Sequence, residues 1–365
     1  MQNPRRIAPA LQGDLLSCLA VAAPVEYELV HVAGQDVQVS NPRKVLFPAA
    51  GYTKLDLARY YIAVADGALR AAGGRPNMLL RFPNGIDADS FYQKRAPESR
   101  PPWVEVVELS FPSGRTAHEV VPRDAATLVW MANLACLELH PHPVRADDLD
   151  HPDELRIDLD PVPGVTWAHV REVAGVVRAT LADLGLVGWP KTSGSRGIHI
   201  YVRIEPRWSF EDVRHAAIGF GRELEKRDAG VTTKWWKEER GERIFVDFNQ
   251  NNRDRTIASA YSLRPLPGAP VSMPLSWDDL AQVTDPRDFN LHTAPERFAD
   301  RGDAMAAIND VACDLQPLID LYDASPEGET NFPPDYPKMP GEPPRVQPSK
   351  KVAAHWDEDG NRIEP

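Results

Sequence analysis

Hydrophobic and polar residues alternate along several short runs of the chain, and this period of two is typical of β-strands that bury one face. Two such runs flank a glycine turn within residues 27–39 and predict a hairpin. Similar runs predict further strands at residues 78–82, 198–204 and 244–248. The predicted strands are therefore spread along the chain rather than clustered.

Between the strands, apolar residues recur at helical spacing, and capping residues precede three of these segments. Thr53 with Asp56 resembles a capping box, and Asp124 and Thr166 are further candidate N-caps. The predicted helices span about residues 53–69, 124–139, 166–184 and 210–226. Because strands and helices alternate irregularly, without obvious parallel crossovers, the predicted fold class is α/β (α+β), with mixed or antiparallel central sheets flanked by helices.

The pattern divides the chain into three segments. Residues 1–24 carry little periodicity and are predicted to be a flexible N-terminal arm, whereas residues 25–323 carry the strands and helices of one folded domain. Residues 324–365 are rich in proline and polar residues, so they cannot bury enough apolar surface to offset their ordering entropy. We expect this tail to be extended or disordered, or to wrap the domain as a strap.

Composition limits the class of protein. The 365 residues suffice for a buried core, and 42% hydrophobic with 26% charged residues is typical of globular proteins. No apolar run approaches the length of a membrane span, and the N-terminus lacks the layout of a signal peptide. The cysteines, 3 in number and widely spaced, favour neither a disulfide framework nor a zinc site. We expect a cytoplasmic protein without a membrane partner.

Charge is unevenly placed along the sequence. The formal net charge of −12 argues against indiscriminate nucleic-acid binding, because attraction to phosphate is the main source of such binding. Acidic residues concentrate in residues 147–154 and in the C-terminal tail, while Arg and Lys recur in residues 75–100. A local basic groove is therefore compatible with the acidic total.

Two carboxylates share one face of a predicted strand in residues 155–161 (LRIDLDP). Asp158 and Asp160 are two positions apart, so their side chains point the same way. Such a pair repels itself unless a cation neutralises it, and Mg²⁺ and Mn²⁺ prefer oxygen ligands. Since Asp-x-Asp also occurs in loops and helix caps, the pair alone leaves both interpretations open.

Residues 191–201 (KTSGSRGIHIY) combine hydroxyls, glycines and a basic residue directly before a strand. Successive N–H groups in such a turn can bind an anion, and Arg196 adds a forked phosphate donor. The spacing is not that of a Walker loop. The alternative is a plain hairpin turn followed by a buried His199.

Asp247 follows the apolar strand in residues 243–252 (RIFVDFNQNN), much as Asp160 ends another strand. Three carboxylates that converge from two strand ends form the anionic cage that two divalent ions need for phosphoryl or nucleotidyl transfer. In the alternative interpretation, Asp247 only caps the turn that contains the asparagines.

Taken in order, these three segments resemble the motifs of the archaeo-eukaryotic primase superfamily. The closer resemblance is to the primase-polymerase domain of bacterial ligase D, an end-joining repair enzyme. Further stretches typical of that family are NPRKVLFP at 41–48, RFPNG at 81–85, FYQK at 91–94, LELH at 137–140 and YSLR at 261–264. The resemblance covers residues 27–322, which is essentially the whole predicted domain.

The resemblance implies a primase-polymerase catalytic domain with two divalent ions, Mn²⁺ or Mg²⁺, held by Asp158, Asp160 and Asp247. It also implies that a nucleoside triphosphate is the substrate. Six further side chains match the family positions that hold it, namely His140, Ser193, Arg196, His199, Gln250 and Arg264. Many relatives carry lysine at the position of Arg196, and either residue binds phosphate.

On the DNA side, the resemblance implies six contacts, which are Lys44, Lys54, Arg81, Phe91, Tyr92 and Lys94. The first two lysines match a pair that receives a 5′-phosphate, and the adjacent aromatics match a pair that stacks near the templating base. Without the resemblance, the lysines would be interpreted as solvated surface residues and the aromatics as core. One departure from the family is Leu80, which stands where relatives carry a lysine associated with sensing the nucleotide ribose.

The predicted function is templated primer extension and gap filling in DNA break repair, favouring ribonucleotides. The expected substrate is DNA with a gap or break that bears a 5′-phosphate, and a separate DNA ligase and an end-binding protein are candidate partners. Because no nuclease or ligase segment follows the domain, we expect a stand-alone bacterial enzyme associated with the nucleoid. The alternatives are a de novo primase, a non-catalytic DNA-end-binding module and a metal-dependent phosphohydrolase.

Overall fold

The computed structural model describes residues 26–110 and 116–330. The predicted N-terminal arm and residues 331–365 of the predicted tail lie outside the described residues. Residues 324–330 of that tail are described, and they contact the domain. No helix in the described segments is long and apolar enough to cross a membrane.

The strands of the described segments form two five-stranded sheets and two hairpins. In chain order, β1 to β14 are Tyr27–Val32, Gln35–Ser40, Val45–Phe47, Tyr52–Thr53, Asn77–Arg81, Phe91–Gln93, Val106–Ser110, Thr116–Val120, Cys136–Pro141, Glu154–Pro161, Gly188–Thr192, Ile198–Arg203, Val231–Thr232 and Ile244–Val246. The first sheet has the order β11-β12-β10-β14-β13, with β13 and β14 parallel and the other pairs antiparallel. In the second sheet β6-β5-β8-β7 are adjacent, and β9 also pairs with β5. The hairpins are β1-β2 and β3-β4.

Helices lie between these strands, as the sequence pattern indicates. In chain order, α1 to α9 are Lys54–Ala63, Ala65–Ala72, Ala125–Asn133, Trp167–Asp183, Phe210–Arg227, Lys237–Arg240, Trp277–Gln282, Thr293–Arg301 and Gln316–Asp323. Two 3-10 helices span Phe248–Asn251 and Pro286–Asp288. The mixed architecture confirms the predicted fold class, and α4 and α5 confirm two of the four predicted helices closely.

Burial of apolar faces holds the helices against the sheets. On α4, Val170, Val173 and Val177 are completely or almost completely buried in the hydrophobic core. Each such side chain contributes about 1.5–3 kcal/mol on leaving water. The same continuous core includes Leu79 of β5 and Leu155 of β10, so both five-stranded sheets share it.

Two of the predicted helices were wrong in extent. The helix expected at residues 124–139 ends at Asn133, because Ala135 adopts a left-handed conformation with φ 59° and the chain then continues as β9. The continuous apolar run across this break has no distinguishing period, so the pattern could not separate helix from buried strand. The helix expected at residues 53–69 breaks into α1 and α2 at Val64 (φ −111°, ψ 15°).

A long connection in residues 258–274, which we call the crossing loop, links the two five-stranded sheets. On one side the amide of Leu263 donates to the carbonyl of Leu137 in β9 at 3.2 Å. On the other side the amide of Thr192 in β11 donates to the carbonyl of Met273 at 2.9 Å. The loop therefore brings the end of β9 close to the turn that follows β11.

Candidate active site

Backbone pairing places the three predicted metal-binding carboxylates around the middle of the first sheet. Asp158 lies opposite His199 of β12, and Asp160 lies opposite Phe245 of β14. The amide of Asp247 donates to the carbonyl of Asp158 at 3.1 Å. The alternation predicted for β10 is confirmed, since Ile157 and Leu159 are buried on the opposite face.

The charges of these carboxylates act on one another. Burial raises the pKa of Asp158 well above its usual range, and the charges of Asp247 and Asp160 raise it further. The side chain of Asp158 is only 13% exposed, so water screens this repulsion weakly. Asp158 therefore lies close enough to two further carboxylates for its ionised form to be disfavoured, which is the chemistry of a cation site.

Asp247 also caps the residues that follow it. Its Oδ1 accepts from the amide of Asn249 at 3.0 Å, and its Oδ2 accepts from Nε2 of Gln250 at 3.0 Å. The alternative interpretation, in which Asp247 only caps the turn, predicts these contacts. The Asp247 carboxylate nevertheless lies close enough to Asp158 for its charge to act on that residue. We call residues 247–252 the Asp247 turn. Burial also raises the pKa of Asp247.

The donor chemistry of this face fits a divalent cation such as Mn²⁺ or Mg²⁺, because it offers carboxylate oxygens whose mutual repulsion a cation would relieve. Among residues 26–110 and 116–330, no three His, Cys, Asp or Glu side chains are grouped in the geometry of a metal site. The three-carboxylate cage therefore stays a prediction.

A tight turn at residues 193–197, which we call the serine-glycine turn, packs against β10 beside the acids. The hydroxyl of Ser193 accepts from the amides of Ser195 and Gly197 at 3.2 and 3.0 Å. Gly194 has φ +73°, and a Cβ at Gly197 would lie 2.4 Å from the carbonyl oxygen of Leu159. Glycine is therefore required at both positions, once for conformation and once for close approach. Arg196 at the tip of this turn is exposed.

A buried lysine lies beneath the turn and was not among the predicted site residues. Nζ of Lys191 contacts Nδ1 of His199 at 2.7 Å and donates to the carbonyl of Ala258 at 2.9 Å and to the hydroxyl of Ser272. Burial lowers the pKa of both Lys191 and His199 well below their usual ranges. On its other side, Nε2 of His199 lies 3.5 Å from Oδ1 of Asp158.

Glu138 is a second buried residue that the sequence did not single out, and it contacts two of the predicted nucleotide-binding side chains. Oε2 of Glu138 lies 2.6 Å from Nε2 of His140, and its Oε1 accepts from Nε of Arg264 at 2.5 Å. Arg264 also donates from Nη1 to the carbonyl of Ser193 at 2.7 Å. Burial acts to raise the pKa of Glu138, but His140 and Arg264 outweigh it, and the pKa is lowered. Glu138 thus fixes two basic side chains beside the serine-glycine turn.

The two predicted phosphate-binding lysines lie next to each other. The capping box of Thr53 and Asp56 starts α1 at Lys54, whose amide donates to the carbonyl of Lys44 at 2.9 Å. Nζ of Lys44 donates to Oδ1 of Asn84 at 2.9 Å. Lys54 is only 7% exposed, so its interpretation as a solvated surface lysine is wrong. Burial lowers its pKa to about 8, helped by the charges of Lys44 and Arg81.

The adjacent aromatic residues are on the surface. Phe91 and Tyr92 are 45% and 60% exposed on the short strand β6, so their interpretation as core residues is wrong. The guanidinium of Arg81 lies 5.4 Å from the centre of the Phe91 ring and donates to Oε1 of Gln93 at 2.8 Å. The ring of Tyr92 meets that of His140 edge-on at 6.2 Å. The exposed Lys94 follows on the same segment.

The structure therefore brings the predicted residues into three neighbouring groups. One contains the acids of β10, the serine-glycine turn and the Asp247 turn with Gln250. A second contains His140, Arg264 and the aromatic pair, and a third contains Lys44, Lys54 and Arg81. Lys191 and Glu138 were missed, because a buried charged side chain inside an apolar strand gives no periodic signal. Asn84 was missed as well, although the RFPNG stretch at 81–85 that contains it was identified.

Comparison with known proteins gives a consistent result. A family model described as LigD, primase-polymerase domain, matches residues 53–305. The chain is 34% identical over 278 residues to the multifunctional non-homologous end joining protein LigD of Mycolicibacterium smegmatis, covering 75% of this chain and 36% of that protein. It is 36% identical over 287 residues to the LigD repair protein of Mycobacterium tuberculosis, covering 75% of this chain and 37% of that protein.

A solved structure agrees with these sequence relatives. It is described as the polymerase domain from Mycobacterium tuberculosis ligase D in complex with DNA, and it superposes on this chain with a TM-score of 0.71 at 33% identity. The match covers 76% of this chain and 99% of that chain. The chain thus corresponds to the polymerase part of the LigD relatives and spans little more than a third of their length.

Proposed function

The chain belongs to the family of LigD primase-polymerase domains, and from this premise we propose that it is a nucleotidyltransferase that extends DNA primers on a template. The observation that carries the proposal is the buried carboxylate of Asp158, which lies beside the serine-glycine turn and whose ionised form is disfavoured by burial and by the charges of Asp247 and Asp160. A carboxylate buried beside two like charges costs free energy in the absence of a ligand, so the presence of Asp158 on this face supports a cation as part of the working site.

Asp158, Asp160 and Asp247 would hold two divalent ions, Mn²⁺ or Mg²⁺. When bound, such ions activate the primer 3′-hydroxyl and neutralise charge on the triphosphate. The amide of Asn249 and Nε2 of Gln250 would hold the Asp247 carboxylate in place, and Nε2 of His199, 3.5 Å from Oδ1 of Asp158, would do so for the Asp158 carboxylate.

The triphosphate of the incoming nucleotide would be held by the six predicted side chains, which are His140, Ser193, Arg196, His199, Gln250 and Arg264. The tip of the serine-glycine turn supplies an exposed guanidinium at Arg196, and Arg264 is anchored below it by Glu138. Preorganised cations bind developing phosphate charge with little reorganisation. We propose that the nucleotide is a ribonucleotide by preference.

The DNA would lie along the surface that carries the aromatic pair and the lysine pair. Exposed aromatic rings stack on bases without regard to sequence, which suits Phe91 and Tyr92 as neighbours of the templating base. Lys44 and Lys54, with Asn84 beside them, would receive the 5′-phosphate on the downstream side of a gap. Arg81 and Lys94 would contact the strand between these two positions.

The names of the relatives suggest the cellular process in which the chain acts. They are non-homologous end joining proteins, and the solved relative is a polymerase domain in complex with DNA. We propose that this chain fills gaps and extends broken ends during end joining in the bacterial cytoplasm. A DNA ligase and an end-binding protein would act on the same ends.

Primer extension on a gapped duplex tests the proposal. With Mn²⁺ and ribonucleotides, the wild-type protein is expected to fill a gap that bears a 5′-phosphate faster than one that bears a 5′-hydroxyl. Asp247→Asn should abolish extension while DNA binding persists, because asparagine can still cap the turn. Asp278→Asn is the matched control, since Asp278 is a 91% exposed surface carboxylate.

Other outcomes would replace the proposal. If an unprimed single-stranded template yields abundant dinucleotides, the chain is a de novo primase. If Asp247→Asn binds gapped DNA and supports end joining as well as the wild type does, the chain is a non-catalytic end-binding module. If the triphosphate is hydrolysed without primer extension, the site is that of a phosphohydrolase.

A further inference from the structure

The last described residues of the chain, 325–330, lie along one face of α5, and we call them the strap. Glu329 forms ion pairs with Arg214, and its Oε2 lies 2.6 Å from Nε2 of His215. Arg214 also donates to the carbonyl of Thr330. The first part of the predicted tail is therefore fixed to the domain by charged side chains of one helix.

Arg222, two turns further along α5, holds the strap as well. It donates from Nη2 to the hydroxyl of Thr330 at 3.1 Å and from Nη1 to that of Ser325 at 3.3 Å. Its Nε lies 3.3 Å from Oε2 of Glu327, which is 71% exposed. The strap thus has two arginine anchors on α5, Arg214 and Arg222.

Of the two anchors, Arg214 also contacts the Asp247 turn. Nε of Arg214 donates to Oδ1 of Asn249 at 3.4 Å, and its guanidinium lies 5.4 Å from the centre of the Phe248 ring. The amide of Asn249 in turn donates to Oδ1 of Asp247 at 3.0 Å. A continuous chain of contacts therefore runs from Glu329 through Arg214 and Asn249 to Asp247.

The ion pair at the start of this chain is largely shielded from water. Arg214 is 3% exposed and the Glu329 side chain is 26% exposed, so water competes weakly for the pair. Burial acts to raise the pKa of Glu329, but the hydrogen bonds from His215 and Arg214 and the charge of Arg214 outweigh it and hold the pKa at about 2. Glu329 is therefore charged at any pH at which the protein is expected to work.

We propose that the strap is a positioning element for the candidate active site, with Arg214 as the positioning residue that transmits its contact to Asp247. The strap lies beyond residues 53–305, the span that the family model matches. Its effect on catalysis rests on the proposed function, whereas its effect on the order of the Asp247 turn does not. The two can therefore be tested separately.

Hydrogen–deuterium exchange of the intact chain tests the positioning directly. Glu329→Gln keeps the shape of the side chain and removes its charge, and Glu327→Gln is the matched control because Glu327 is an exposed strap carboxylate that forms its ion pair with Arg222. We expect the amides of residues 248–252 to exchange about threefold faster in the Glu329 variant and at the wild-type rate in the control. Arg214→Lys, which loses the forked geometry, should give the same increase.

Equal exchange in wild type and Glu329→Gln would overturn the proposal, and so would an equal increase in Glu327→Gln. In primer extension at a temperature well below its melting transition, the Glu329 variant should need about three times more Mn²⁺ for half-maximal rate, and its melting temperature should fall because the buried Arg214 loses its ionised partner. An unchanged Mn²⁺ requirement would remove the catalytic part of the proposal. Failure of the wild type to extend any primer would instead contradict the proposed function. The exchange measurement would then decide by itself whether the strap orders the Asp247 turn.

Discussion

Nζ of Lys191 lies 2.7 Å from Nδ1 of His199, and both side chains are buried beneath the serine-glycine turn. The lysine also satisfies the carbonyl of Ala258 and the hydroxyl of Ser272 in the crossing loop. The Lys191 side chain therefore stabilises the crossing loop and fixes the orientation of His199, a predicted nucleotide contact. Burying a lysine costs free energy of folding. Replacing it by an apolar side chain would cost more, because three buried acceptors would lose their donor.

Lys191→Met should destabilise the protein and weaken nucleotide binding together. Each buried acceptor left without a donor costs about 1–3 kcal/mol, so we expect a fall in the free energy of unfolding of at least that size. The KM for the nucleotide should rise, because His199 loses the contact that fixes its ring. Chemical denaturation and steady-state kinetics measure the two effects. Lys226→Met, at a lysine whose side chain is 69% exposed, should change neither, and a normal KM in the Lys191 variant would contradict the prediction.

Asp158→Asn should make the protein more stable and less active. The change removes the carboxylate whose charge is disfavoured by burial, by Asp247 and by Asp160. In the presence of a chelator we expect the melting temperature to rise by about 2 °C, while primer extension is lost. Added Mn²⁺ should stabilise the wild type more than the variant. A variant that melts below the wild type without metal would show that the carboxylates do not repel one another.

The residue pattern alone predicted the β1-β2 hairpin, the strands at β5, β10, β12 and β14 and the alternating faces of β10, whereas most residues of the candidate site came from the resemblance to a family. It did so because period-two alternation and capping residues are local signals. It failed at residues 134–139, where a continuous apolar run carries no period and a strand follows α3 directly. Glu138 lies in that stretch, so its role between His140 and Arg264 depends on a tertiary contact with the crossing loop.

Burial was the second quantity that the sequence could not supply. Lys54 and the Phe91–Tyr92 pair are of opposite residue types, yet the lysine is buried and the aromatics are exposed. Residue type predicts the reverse, and only the resemblance to a family placed them at a site. Sites that bind charged or stacking ligands break the usual rule because their ligand completes the environment.

Replacing both exposed aromatics by alanine should weaken DNA binding without affecting the fold. Stacking on a base contributes about 1–3 kcal/mol, so the Phe91→Ala, Tyr92→Ala protein should bind a gapped duplex at least about tenfold more weakly. The melting temperature should stay near that of the wild type, because the rings are 45% and 60% exposed. Fluorescence anisotropy measures the affinity. Tyr27→Ala, at a 61% exposed aromatic on β1, is the control, and an equal loss there would show a non-specific effect.

Preference for a 5′-phosphate should fall as the pH rises through about 8. Burial, with the charges of Lys44 and Arg81, lowers the pKa of Lys54 to about 8, so its ammonium is present below that pH and is lost above it. A bound phosphate favours the charged form, and binding above pH 8 must therefore take up a proton.

The ratio of dissociation constants for gapped duplexes with a 5′-hydroxyl and a 5′-phosphate, measured by anisotropy, should fall about three- to tenfold between pH 7 and pH 9. Lys54→Arg should keep its ratio over the same range, because a guanidinium stays charged. If the wild-type ratio is as constant as that of the arginine variant, Lys54 does not contact the phosphate as a titrating cation. A ratio near one at every pH would show that the protein does not recognise the 5′-phosphate.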